Sequence, residues 1–172
     1  MPWIATPEIA LRYEISGEGQ AILMLLHEMG GSLESWEPVL PLLHPHFRVL
    51  RYDQRNAGLS EKPPGPMTLA QSGNDAVALL DALGLTEPVV VLGTAVGGAV
   101  ALHLAAAHPG RIRAAIVTSP ATGLPEAGRA AAIERADLLE REGTRAVVDA
   151  GLAQSYPEAL RGDAARFAAT RA

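Results

Sequence analysis

The chain contains no cysteine. That absence excludes a disulfide framework, a thiolate nucleophile and any metal site built on sulfur. Positive charge is not in excess either: 14 Lys and Arg stand against 19 Asp and Glu, a formal net charge of −5. A mildly acidic chain offers no electrostatic footprint for nucleic acid or for an anionic membrane, and neither is expected as a partner. Long apolar runs are also lacking. The longest early one, Ala21 to Leu26, falls far short of the roughly 20 residues that a helix needs to cross a bilayer. The N-terminal stretch Met1-Pro2-Trp3-Ile4-Ala5-Thr6-Pro7-Glu8 has no basic segment followed by an apolar one, so the expected compartment is the cytoplasm. There is no internal repeat and no low-complexity linker.

What is present is a globular composition, 48% hydrophobic over 172 residues, enough for one domain or most of one with a real core. Leu11, Tyr13 and Ile15 alternate with Arg12 and Glu14, the pattern of an edge-like strand over Ile9–Ile15. Ala21–Leu26 is apolar throughout, as in a central parallel strand covered on both faces. Ser32 is a candidate cap for a helix carrying Leu33, Trp36, Val39, Leu40 and Leu43. Phe47–Tyr52 is the next strand, and a Gly/Pro-rich loop follows from Asp53 to Met67. Thr68 starts a helix to Leu83, with Leu69, Ala76, Leu80 and Leu83 on one face and Gly84 as its stop. Then come a strand at Val89–Leu92, a glycine turn, a helix to His108, and a strand at Ile112–Val117. From Pro125 onward the sequence is rich in Ala, Arg and Glu with helical spacing and no strand pattern. Strands alternating with helices imply a parallel α/β sheet.

The turn after the fourth apolar strand carries the chemistry. Gly93-Thr94-Ala95-Val96-Gly97 has the frame of a G-x-S-x-G nucleophile elbow with alanine in the serine's place. Such a turn lifts one side chain above a sheet and brings the next backbone N–H, that of Val96, to a helix N-terminus. Three other segments join it: His27-Glu28-Met29-Gly30-Gly31, Asp53-Gln54-Arg55-Asn56-Ala57-Gly58-Leu59-Ser60, and Ala107-His108-Pro109-Gly110-Arg111-Ile112. In this order and on these elements they resemble the α/β-hydrolase superfamily, in its branch of small esterases, enol-lactonases and carbon–carbon bond hydrolases. The first is similar to the oxyanion loop H-G-x-G-G, with Glu28 for its first glycine. The second is similar to D-x-R-G-x-G-x-S, with Asn56 for a glycine.

The resemblance implies an α/β-hydrolase core over residues 1–123 and the start of a helical cap over 124–172. It implies a small-molecule ester, lactone or carbon–carbon bond substrate, no cofactor and no metal. Position 95 is that of the nucleophile, and the Met29 and Val96 backbone N–H groups are the oxyanion donors. His27, Glu28, Gly30 and Thr94 are the expected substrate-binding residues. Glu28 stands out, because a carboxylate in that loop opposes a developing negative charge.

Departures from the family pattern are as informative. Ala95 has no heteroatom. The family's acid and histidine follow the elbow on later strands, whereas the last histidine here is His108. The chain therefore reads as a hydrolase without its last strands: truncated, cleaved, or one part of a split protein. It is inactive as written, with Ala95 either an engineered change or the mark of a natural pseudoenzyme that binds a ligand or a partner. An apolar edge at Ile112–Val117 is then expected to pair with further chain or another protomer.

Simpler readings cover the rest. The elbow nearly fits the dinucleotide pattern G-x-G-x-x-G, but no acidic residue ends the next strand to hold a ribose. His44-Pro45-His46 has no third ligand and reads as a surface turn. His103 and His108 read as packing or capping residues, Trp36 as core, and Asp53 with Arg55 as a structural ion pair.

Overall fold

The computed structural model describes residues 2–143 together with 146, 151 and 162. Six strands form one sheet: β1 (Trp3–Ala5), β2 (Ala10–Ser16), β3 (Ala21–Leu26), β4 (Phe47–Tyr52), β5 (Val89–Thr94) and β6 (Ile112–Thr118). Their order is β1-β2-β4-β3-β5-β6. β1 and β2 run antiparallel to their neighbours, and β4, β3, β5 and β6 are parallel. The fold is thus the mostly parallel α/β sheet of the expectation. Two details differ. The three-residue β1 has no sequence pattern of its own and takes the edge that β2 was expected to occupy. Among the described residues β6 closes the other side of the sheet, with Ile116 48% exposed.

Alternation along the strands decides which face each element covers. Met24 and Leu26 of β3, Leu50 and Tyr52 of β4 and Val91 of β5 point into one core. α2 (Leu69–Ala82) contributes Ala76, Leu79 and Leu80 to it, and α3 (Val96–Ala107) contributes Val100, Ala101 and Leu104. Leu23, Leu25 and Val49, one residue out of phase, pack with Leu40 and the partly buried Trp36 in a smaller cluster. That second face is covered by a 3-10 helix (Leu33–Val39) running into the single turn α1 (Leu40–Leu43). A regular α-helix was expected here. Pro38 and Pro41 remove two backbone donors, and the segment winds tighter instead.

α2 is capped as its sequence suggests. Thr68 Oγ1 accepts from the Gln71 N–H (3.1 Å) and the Gln71 side chain accepts from the Thr68 N–H (2.9 Å). Gly84, with φ 67°, ends it. Leu69 does not join its buried face. It is 43% exposed, and Ser72, Gly73 and Asp75 are buried instead.

One face of β2 carries Arg12 and Glu14. Arg12 is buried there with Arg51 of β4 because acidic residues of the 3-10 helix cover them. Arg12 pairs with Glu34 and, at 3.1 Å, with Asp53, while Arg51 pairs with Glu14 (3.0 Å) and Glu37 (2.8 Å). The Glu34 carboxyl is held down to about 2, first by its hydrogen bond from Arg12. Burial drives the Tyr52 hydroxyl well above the ordinary tyrosine range, and Asp75 adds to the effect.

The chain divides into two compact units, Met1–Thr122 and Gly123–Ala172. The described helix of the second, α4 (Glu126–Glu142), is rich in Ala, Glu, Arg and Leu, all strong helix formers, and ends at Gly143 with φ 77°. No described helix is long and apolar enough to cross a membrane.

Candidate active site

The elbow is a backbone feature before it is a chemical one. β5 ends at Thr94 and α3 begins at Val96, so one residue turns the chain. That residue, Ala95, has φ 50° and ψ −116°, a region that L-residues rarely enter. Its neighbours hold it there. The Ala95 N–H donates to the Thr118 carbonyl (3.1 Å), and the Ala95 carbonyl accepts from Ala99 (3.2 Å) and Ala121 (2.9 Å). The turn also needs bare backbone at two points. A Cβ on Gly93 would overlap the Gly97 carbonyl, and one on Gly97 would overlap the Leu26 carbonyl of β3.

A cavity of about 250 Å³ lies against this turn. Its walls are His27, Glu28, Met29 and Gly30 from the loop after β3, and Gln54, Arg55, Asn56 and Ala57 from the loop after β4. Val96 and Val100 of α3, Ser72 of α2, and Met67 complete them. Among the expected site residues the structure thus brings His27, Glu28, Met29, Gly30 and Val96 to one cleft. Thr94 and Ala95 belong to the adjoining turn and not to its lining. Neither the Val96 nor the Met29 backbone N–H has a protein acceptor among the described residues. For Val96 this is the ordinary condition of a helix N-terminus, where the first N–H groups lack an intrahelical partner and the dipole favours negative charge.

His27 is 2% exposed and spends both ring nitrogens on backbone. Nε2 accepts from the Gln54 N–H (3.0 Å), which leaves Nδ1 as the donor to the Glu28 carbonyl (2.7 Å). The Gln54 side chain returns a hydrogen bond to the His27 carbonyl (2.7 Å). The ring therefore fastens two cavity walls together. Glu28 Oε1 accepts from Ser35 Oγ (2.9 Å), its carboxyl lying over Gly31, where a Cβ would overlap it.

Asp53 and Arg55 are each ion-paired, but not with each other as expected. Asp53, fully buried, accepts from Leu33 N–H (2.7 Å) and Leu59 N–H (2.8 Å) and pairs with Arg12. Arg55 grips Asp75 of α2 with two bonds of 2.8 Å. Partners 41 and 20 positions away in sequence decide these pairs, which local spacing does not reveal. The wall formed by 54–57 was likewise not foreseen. Its one sequence signal is Asn56, at φ 65°, a residue that tolerates the left-handed conformation where glycine was missed.

His44 bonds Ser16 Oγ (2.9 Å), and His103 packs where Gly73 leaves room. No group of three or more potential metal ligands occurs among the described residues.

A parallel sheet with a strained strand-to-helix turn over a cleft defines a protein of the α/β-hydrolase type. Residues 21–170 match the alpha/beta hydrolase fold family, and the chain belongs to that family. It is 38% identical over 154 residues to a protein of Variovorax paradoxus that bears the name carbamate hydrolase RutD, covering 87% of this chain and 57% of that one. It is 30% identical over 141 residues to 3-oxoadipate enol-lactonase 2 of Acinetobacter baylyi, covering 81% and 52%. Among solved structures, the enol-lactonase from Burkholderia xenovorans LB400 superposes with a TM-score of 0.89 at 34% identity, covering 99% of this chain and 66% of that one. The chain spans about half the length of the curated relatives it matches.

Proposed function

We propose that this chain forms the substrate-binding and oxyanion-stabilising part of a hydrolase for small esters, lactones or carbamates, with position 95 as the place of the nucleophile. The backbone of Ala95, φ 50° and ψ −116° at the β5–α3 junction, carries the reading. Strain of this kind costs about 1–3 kcal/mol and persists where surrounding structure imposes it. Nothing in the small alanine side chain accounts for it.

In this reading the substrate carbonyl carbon lies over position 95 and its oxygen between the Val96 and Met29 N–H groups. Attack by a nucleophile at 95 turns that oxygen into an anion, and each well-placed donor contributes about 3–4 kcal/mol to that state. Collapse of the intermediate breaks the bond to the alcohol or amine, which leaves with the proton that the nucleophile lost. The acyl group left on position 95 is then released to water as the acid. Ala95 offers no lone pair for the first step. The chain as it stands therefore binds and polarises its substrate without forming an acyl intermediate. The names of the relatives support carbamates and enol-lactones as substrate classes.

A second reading, a ligand-binding protein on the same fold with no catalytic history at 95, is favoured by Ala95 itself. One experiment separates the two. Because the chain has no cysteine, Ala95→Cys introduces a single thiol of high intrinsic nucleophilicity. Treated with p-nitrophenyl acetate and followed by intact mass, it should gain one acetyl group about tenfold faster than Ala106→Cys, a control at an exposed position of the same helix. Equal rates would favour the ligand-binding reading.

A further inference from the structure

The charged residues of the cleft wall are unequally compensated. Arg55 holds Asp75 with two bonds of 2.8 Å and has Glu8 at 3.6 Å. Donating those hydrogen bonds to Asp75 raises the Arg55 pKa above the ordinary arginine value. His27 is fixed with Nε2 as an acceptor, which is the neutral form of the ring. Glu28 is different. Its Oε1 accepts a hydroxyl from Ser35, and no cation pairs with it among the described residues. The side chain of Asn56, exposed on the loop after β4 that also lines the cleft, has no hydrogen-bond partner among the described residues. Glu28 also directly precedes Met29, whose N–H is the proposed oxyanion donor.

The geometry points to Glu28 as the residue that sets the charge class of the substrate. The cleft takes neutral or cationic carbonyl compounds that carry an N–H or O–H donor, such as amide-bearing carbamates, and rejects carboxylate-bearing ones. This rests on the reading of the cleft given above and narrows it, setting aside carboxylate-bearing enol-lactones such as that of 3-oxoadipate. A donor on the substrate meets Glu28 Oε2, and an amide-type group meets the Asn56 carboxamide. A substrate carboxylate would instead face the like charge of Glu28, while Arg55, the cation on this wall, is already held by Asp75. Ser35 keeps the Glu28 carboxyl turned over Gly31, so that it attracts a donor without occupying the oxyanion position.

The test uses the single thiol of Ala95→Cys and two methanethiosulfonate reagents of matched size, one bearing an ammonium group and one a sulfonate. Each reagent forms a mixed disulfide with the thiolate and releases a sulfinate, so the rates report the potential at the site. Relative to the ratio for a small model thiol, the cationic reagent should be favoured about tenfold. Adding Glu28→Gln, which keeps the Ser35 bond and removes the charge, should abolish that preference. A preference absent from the start, or unchanged by Glu28→Gln, would overturn the assignment while leaving the nucleophile reading intact. A thiol that neither reagent reaches would overturn both, and acetylation by the neutral ester tells these cases apart.

Discussion

Gly97 of α3 lies so close to the Leu26 carbonyl of β3 that a single Cβ would overlap it. The contact fastens the first turn of the helix to the central strand, and it is what brings the Val96 N–H over the cleft. Gly97→Ala should therefore destabilise the protein by about 1–3 kcal/mol, because the obstructing atom is backbone and cannot rotate away. Urea unfolding measures this. A midpoint equal to that of the parent would mean that the elbow is looser than described.

Ala95 makes the opposite prediction. Its positive φ is a cost that glycine does not bear. Ala95→Gly should gain about 1 kcal/mol, the relief of strain exceeding the added entropy of the unfolded chain. The same unfolding experiment decides it, and a loss of stability would show that the turn is not strained.

Asp53 accepts two backbone N–H bonds and pairs with the buried Arg12. Asp53→Asn removes the charge that Arg12 faces from within the core, so a loss of about 3–5 kcal/mol is expected. An effect below 1 kcal/mol would transfer the burden to Glu34, the other partner of Arg12.

Glu34 gives an acid limb to stability. Its folded-state carboxyl titrates at about 2, below the unfolded value, with the hydrogen bond from Arg12 the largest cause. A lowered carboxylate contributes stability at pH values above the ordinary glutamate range and loses it as pH falls through about 2. Because the side chain is 45% exposed, solvent screening makes this contribution smaller than the shift alone suggests. In Glu34→Gln the fall in melting temperature between pH 5 and pH 2 should be shallower than in the parent. An identical slope would remove Glu34 from the acid response.

The sequence made the parallel core legible because periodicity is local. β3 and β4 occupy the segments Ala21–Leu26 and Phe47–Tyr52, and Thr68 and Gly84 bound α2 as expected. Features that depend on distant partners were not legible. Arg12 and Arg51 look like surface residues until Glu34 and Glu37 cover them. Asp53 and Arg55 look like partners until Arg12 and Asp75 claim them. The Gln54–Ala57 wall of the cleft is held by distant partners, His27 of the loop after β3 and Asp75 of α2. β1 is too short to show a period, and Pro38 and Pro41 turn an apparent α-helix into a 3-10 segment.

Residue 95 stands at the N-terminus of α3 beside backbone donors that have no acceptor among the described residues. The pH dependence of iodoacetamide alkylation of Ala95→Cys tests this most directly, with Ala106→Cys as the reference. A thiolate stabilised by the helix N-terminus should titrate clearly below the ordinary cysteine value of about 8.5, within roughly 3.5–7.5. A midpoint at or above about 8.5, equal to that of the reference, would show that the helix N-terminus does not act on position 95.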